Sequence, residues 1–251
     1  MIIKKTPSQI EAMRRAGIAL AEVHRELAGA IRPGVRLTEL DELAEKEIRN
    51  RGAVPSFLGY KGFPASICAS VNEVIVHGIP SRQKLREGDI LSADMGLILD
   101  GWHADRAHTY AVGQISPEAR RLMDVTQASL MAGIDKCRPG NRMSDISNAI
   151  QVVVEEGGFS VVREYAGHQI GRQMHEGDIW LANFGPPGRG PVLEAGMTFA
   201  IEPMVNAGGS GAQVLDDEWT VITEDGSLSA HFEHTVAIEE AGPLILTELP
   251  E

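Results

Sequence analysis

Apolar positions along this 251-residue chain follow a helical rhythm, then a strand rhythm, and then repeat the cycle. Ile10, Met13, Gly17, Leu20, Leu27 and Ile31 share one face at helical spacing. The run opens on Thr6-Pro7-Ser8-Gln9, which offers an N-cap, a proline at the first helical position and a glutamine to close a capping box. Arg32-Pro33-Gly34 stops this helix. Leu40, Leu43, Ala44 and Ile48 mark a second one, predicted from a Thr38 cap to about Arg51. Residues 54–64 (VPSFLGYKGFP) read as a glycine- and aromatic-bearing loop, followed by a short strand over 67–71 and the segment VIVHGIP at 74–80.

Two β-prone runs, 90–99 and 102–112, flank Asp100-Gly101, the dipeptide best suited to a two-residue type I′ turn. Folding on that turn sets Leu99 opposite Trp102 and Asp94 opposite Ala107. Asp105 lies two positions from Ala107, so it shares a face with Asp94. The two carboxylates are then diagonal neighbours, roughly 7–8 Å apart at the backbone. Two acids aimed together from strand interiors call for a cation.

The cycle then repeats. Ser116-Pro117-Glu118 starts a third helix running to about Cys137, Arg138-Pro139-Gly140 stops it, and Ser144 is the expected cap of a fourth with Ile146, Ala149, Ile150, Val153 and Val154. Thr38 and Ser144, Leu40 and Ile146, Ala44 and Ile150, and Gly52 and Gly158 stand at one constant offset. A weaker echo of Glu87-Gly88-Asp89-Ile90 in Ala195-Gly196-Met197-Thr198 maps Asp94 onto Glu202. The period is far longer than that of a solenoid repeat, so we expect one α+β domain of two pseudo-twofold-related halves, roughly 6–113 and 116–238. GPPGRGP (185–191) and AGGSGAQ (207–213) read as surface loops.

In the second half, alternation over 197–205 puts Thr198, Ala200, Glu202 and Met204 on one face, with Pro203 holding Glu202 extended. Alternation over 228–238 puts Ser229, His231, Glu233 and Thr235 on one face and Phe232, His234 and Val236 on the other. Between them lies Gly167-His168-Gln169-Ile170-Gly171, followed by His175. The inward polar set is therefore Asp94, Asp105, His168, Glu202 and Glu233, with His77 and His175 nearby. It is too acidic for a structural zinc site and suits two divalent first-row ions bridged by carboxylates. Such pairs, roughly 3.5–4 Å apart, activate a bridging water for hydrolysis. Cobalt, manganese, iron and zinc all fit imidazole with oxygen donors. His103 shares the face of Asp105 but lies about 13 Å along from the partner of Asp94; His108 and His234 point to the opposite face, and His231 stays open.

Composition narrows the setting. A content of 43% hydrophobic and 23% charged residues is that of an ordinary globular protein. No apolar run approaches the ~20 residues of a membrane span, and MIIKKTPSQI lacks a signal-peptide core, so we expect a cytoplasmic protein without membrane contact. Cys68 and Cys137 read as free thiols. A net charge of −12 argues against nucleic-acid binding.

VHGIP with His77, the Asp94/Asp105 pair, GHxIG with His168, the following His175, IEPM with Glu202 and EHT with Glu233 together resemble a type I methionine aminopeptidase, in order and spacing, over essentially the whole chain. The resemblance implies the pita-bread fold. It implies a metallo-exopeptidase that removes the initiator methionine from nascent polypeptides when the second residue is small, by way of a metal-bridging water or hydroxide. It implies Asp105 and Glu233 as bridging ligands, Asp94 as a chelating ligand of one ion, and His168 with Glu202 as ligands of the other. Glu202 would also relay the proton of the water to the leaving amine. His77 and His175 would hydrogen-bond the substrate and stabilise the oxyanion, and Tyr60, Phe63, Cys68 and Trp219 would line the methionine pocket. Transient ribosome contact and a monomeric state are expected. Three departures stand out: Gln169 where the family usually has glycine, Met174 where an aromatic is common, and Glu176-Gly177-Asp178 where a Glu-Pro run is frequent. Met174 remains a suitable pocket wall. The alternatives are a proline-specific aminopeptidase or dipeptidase of the same fold, which usually carries a further N-terminal domain, and a metal-free binding module, which would have lost ligands that all stand here.

Overall fold

Helix α1 (Pro7–Ala30) begins at the predicted capping box: Thr6 Oγ1 accepts from Gln9 N at 3.3 Å, and Gln9 Oε1 accepts from Thr6 N at 2.9 Å. The protein is seen here as a computed structural model that describes residues 2–250. Helix α2 (Leu37–Asn50) departs from expectation, since its cap is Arg36 rather than Thr38. The Glu39 carboxylate accepts from Arg36 N at 2.8 Å, while Thr38 N donates to the Ser81 carbonyl of a neighbouring loop. Helix α3 (Pro117–Asp135) starts on Ser116 as predicted. Helix α4 (Met143–Glu156) repeats the correction: Arg142 is the cap, Asp145 accepts from Arg142 N at 2.7 Å, and Ser144 Oγ instead accepts from Arg189 N. An acid three residues into each helix, together with loop carbonyls beside it, replaces the hydroxyl cap that sequence favours.

Strands of the first half are β1 (Val54–Pro55), β2 (Ile67–Val71), β3 (Val74–Val76) and the hairpin β4 (Ile90–Leu99) with β5 (Trp102–Ala111). The register is the one Asp100-Gly101 demands: Leu99 faces Trp102 and Asp94 faces Ala107. Both turn residues have positive φ, 52° and 76°. Strand β4 pairs β1, β2 and β5, and α1 and α2 cover this sheet through Leu20, Leu27, Leu40, Ile48, Leu91 and Met95.

The second half contributes β6 (Ser160–Val161), β7 (Ala166–Gln169), β8 (Trp180–Ala182), β9 (Thr198–Ile201), β10 (Met204–Asn206), β11 (Ala212–Val214), β12 (Val221–Thr223), β13 (Ser229–His231), β14 (His234–Glu239) and β15 (Gly242–Ile245). They form a five-stranded sheet β15-β14-β9-β7-β8, a sheet β13-β10-β6, and a sheet β11-β12-β3 that joins the halves. Leu122, Leu130, Ile146, Ile150, Phe199 and Val236 lie in the core beneath α3 and α4. The tail of AGGSGAQ enters β11 and is not loop throughout.

The two acid-bearing runs are not continuous strands. Residues 197–205 break at Glu202-Pro203 between β9 and β10, and residues 228–238 break at Phe232-Glu233 between β13 and β14. The breaks face each other, because His234 pairs with Ile201 and His231 pairs with Met204. Pro203 has no N–H for a ladder, so the two sheets part there. Glu202 and Glu233 thus sit on the seam. No helix among the described residues is long and apolar enough to cross a membrane.

Candidate metal centre

Hairpin, seam and β7 all deliver polar side chains into one cavity of about 490 Å³, whose wall includes Asp94, Asp105, His168, Glu202 and Glu233. Asp105, His168 and Glu233 each offer a ligand atom within 4.8 Å of the others. His168 Nε2 lies 3.6 Å from Glu202 Oε1 and 3.9 Å from Asp105 Oδ2. Its Nδ1 is 3.1 Å from the Gln169 carbonyl. A carbonyl only accepts, so Nδ1 carries the proton and Nε2 turns a lone pair into the cavity. Thr235, flagged on the inward face, braces Asp105: Asp105 N donates to Thr235 Oγ1 at 3.0 Å and the hydroxyl donates back to the Asp105 carbonyl at 2.8 Å.

Burial dominates the electrostatics. It pushes Asp94 up to about 8 and lifts Asp105, Glu202 and Glu233 well above the usual carboxylate range, with the neighbouring acids adding to the rise in those three. Burial also drives His168 down to about 4, so the imidazole is neutral near pH 7. Asp94 Oδ1, Asp105 Oδ1 and Glu233 Oε1 are buried without a hydrogen-bond partner. Buried anionic oxygens persist when paired with cations or coordinated to metal. Orphaned carboxylate oxygens around a neutral imidazole lone pair are the donor set of divalent first-row metals, and the residues fit such ions.

Beside the acids lies an apolar wall. Phe63, Cys68 and Met174 are buried in one cluster with Phe57, and Tyr60 and Trp219 pack against it. Trp219 meets Phe63 edge-on at 5.1 Å and His77 at 6.2 Å. Cys68 stands opposite Asp94 in the β2–β4 register, so apolar wall and acid floor abut. Burial, then Asp94, raises the Cys68 thiol well above its ordinary value, which keeps it protonated. His77 adopts φ 59°, a left-handed conformation rare for a side chain of this size and of the kind held at functional sites. The His175 ring lies 4.0 Å from that of His168, its Nδ1 is 2.9 Å from the Tyr60 hydroxyl, and burial brings it to about 3.

Every residue singled out from sequence as ligand, catalytic group or pocket wall reaches this cavity. His103 lies elsewhere, bonded to Ser56 Oγ at 3.0 Å. His108 packs on Phe232, and His234 bonds Thr247 at 2.8 Å. The open case resolves inward: His231 lines the cavity, buried, with Nε2 3.8 Å from Glu202 Oε2 and no hydrogen bond. Sequence reading missed Phe57, Tyr165, Trp180 and Met204 on the wall, although Met204 shares the predicted face of Glu202. It also missed the buried pair of Lys5 with Glu176, for which no periodic or motif signal exists. One departure from the family pattern now has a partner, since Gln169 Oε1 accepts from Ile3 N at 3.3 Å, and Glu176, which keeps the family's glutamate, pairs with Lys5.

These features define a metal-dependent peptidase class. Residues 11–240 match the model of metallopeptidase family M24, and the chain belongs to that family. Within it, the chain is 52% identical over 249 residues to methionine aminopeptidase 1 of Bacillus subtilis (strain 168), covering 99% of this chain and 100% of the relative. It is 53% identical over 247 residues to the methionine aminopeptidase of Clostridium perfringens, covering 98% and 99%. The crystal structure of methionine aminopeptidase from Rickettsia prowazekii superposes with a TM-score of 0.97 at 42% identity, covering 99% and 100%. The Xaa-Pro dipeptidase from Bacillus anthracis superposes at 0.77 with 22% identity over 62% of its chain, which shows the shared pita-bread fold alone.

Proposed function

We propose that this chain removes the N-terminal methionine of polypeptides whose second residue is small, with two divalent ions held between Asp94, Asp105, His168, Glu202 and Glu233. The orphaned oxygens of Asp94, Asp105 and Glu233 around the open Nε2 of His168 carry this reading. Asp105 and Glu233 would bridge the ions, Asp94 would chelate one, and His168 with Glu202 would hold the other. Cobalt, manganese, iron or zinc would supply Lewis-acid polarisation of the scissile carbonyl and a water acidic enough to attack near neutral pH.

The chain's own residues do the rest. Glu202, whose carbonyl is held by Asn183 Nδ2 at 3.0 Å, accepts the proton of the attacking water and returns it to the leaving amine. The Tyr60 hydroxyl lies 2.9 Å from His175 Nδ1; with the hydroxyl as donor, the His175 proton stands on Nε2, where it would meet the developing oxyanion. His77, on the cavity wall, would hydrogen-bond the substrate. The methionine side chain lies among Tyr60, Phe63, Cys68, Met174 and Trp219, where thioether meets aromatic edges. The reading extends to one catalytic domain of two halves, acting as a monomer in the cytoplasm on nascent chains with transient contact at the ribosome. Metal-loaded protein should cleave Met-Ala-Ser and spare Met-Trp-Ser. Faster cleavage of Ala-Pro-Ser than of Met-Ala-Ser would point instead to a proline-specific peptidase.

A further inference from the structure

Trp180 is 55% exposed, more than any other large hydrophobic side chain among the described residues, whereas Trp102 is 5% exposed. An indole left in water at a cavity wall is costly apolar surface that a ligand can cover. Its direction is not accidental. Trp180 opens β8, the edge strand of the five-stranded sheet, and its direct cross-strand partner is His168. Direct partners project to one face, so the indole is held on the side of the metal-ligand candidates. Three rings step outward from the acid floor: His168, then His175 at 4.0 Å, then Trp180 at 5.7 Å from His175.

We infer that Trp180 is an aromatic shelf for the third residue of the peptide substrate, a subsite on the leaving-chain side of the scissile bond. The inference rests on the activity proposed above. With the first side chain in the apolar pocket and the scissile bond over the acids, the remaining chain leaves past His175, and Trp180 is the next surface outward. An extended chain advances at most ~3.6 Å per residue. His175 stands at the carbonyl of the first residue, so the 5.7 Å step to Trp180 carries the peptide one to two residues beyond the first, and the third residue reaches the indole. A dipeptide ends short of the indole, and a tripeptide reaches it. The ligand class is an extended peptide with an apolar or aromatic side chain at its third position.

The test is the ratio of kcat/KM for Met-Ala-Phe to that for Met-Ala, measured for the wild-type protein, Trp180→Ala and Trp180→Phe. An aromatic contact of ordinary strength predicts a ratio about 3- to 10-fold lower in Trp180→Ala, arising in KM, and restored in Trp180→Phe. An equal ratio in wild type and Trp180→Ala overturns the shelf while Met-Ala cleavage leaves the activity standing. Wild-type protein that cleaves neither peptide after metal loading overturns both.

Discussion

Lys5 and Glu176, 171 residues apart in sequence, form an ion pair with side chains only 2% and 4% exposed. The same glutamate accepts from Arg172 N at 2.6 Å, its own N–H donates to the Gln169 carbonyl at 2.8 Å, and Lys5 N donates to the Gly196 carbonyl at 2.7 Å. The loop bearing Met174 and His175 is thus tied beneath to the N-terminal segment. A Cβ at Gly171 would lie 2.4 Å from the Glu176 carboxylate, so a larger residue there must displace the buried pair. Burial lowers the Lys5 pKa, and the bond to Glu176 opposes that shift. Removing one partner of a buried pair strands the other charge, so Lys5→Met should cost about 3–5 kcal/mol in urea unfolding and lower kcat. The double variant Lys5→Met/Glu176→Gln should recover part of that stability. Additive losses would show that the pair does not act as a unit.

His175→Ala should lower kcat by about 100-fold while calorimetry still records metal binding, because the lost donor acts on the oxyanion. Full kcat would refute that role. Glu202→Gln should abolish turnover and also weaken one ion, since ligand and proton relay are lost together.

Stability should fall in mild acid. His24 is buried with Nδ1 3.0 Å from the Tyr110 hydroxyl and Nε2 2.9 Å from the Arg106 carbonyl, and burial, aided by Arg106, drops its pKa well below 6.5. His108 is lowered to about 4 by burial and then Arg106. Both rings are neutral in the fold, whereas the unfolded chain takes up protons below ~6.5. Their stability is fully present above that pH and is lost as pH falls toward 4, at up to about 1.4 kcal/mol per pH unit per site. Thermal melts of His24→Gln should show a shallower loss between pH 6.5 and 4 than wild type. Parallel curves would contradict it.

Gly17→Ala pits two effects against each other. Alanine favours a helix over glycine by about 1 kcal/mol. A Cβ on Gly17 would lie 2.1 Å from the Leu246 carbonyl oxygen, backbone that cannot turn aside. Overpacking of this kind costs about 1–3 kcal/mol, so the variant should unfold at lower urea with KM unchanged.

Much of this site was legible because its residues come from regular patterns. Asp94 and Asp105 follow from a two-residue turn whose dipeptide dictates register, and alternation did the remainder. The internal repeat paired Asp94 with Glu202 before any fold was known, and the structure puts both on one cavity. Parity even survived the strand breaks at Glu202-Pro203 and Phe232-Glu233, because both runs part at the same seam. What sequence hid was long-range and aperiodic. Lys5 meets Glu176 through the fold, Thr235 grips the Asp105 backbone across 130 residues, and the caps at Arg36 and Arg142 depend on loops from elsewhere. Trp180 carries no signal in the sequence, and only its register with His168 gives it a direction.

Metal dependence and selectivity for methionine are decided together in one titration. Metal-stripped protein, titrated with manganese or cobalt while Met-Ala-Ser and Leu-Ala-Ser are assayed side by side, tests both most directly. The expected result is no turnover without metal, calorimetric saturation at two equivalents, and cleavage of Met-Ala-Ser far ahead of Leu-Ala-Ser. Equal cleavage of the two peptides, or none after reloading, would contradict the proposed activity.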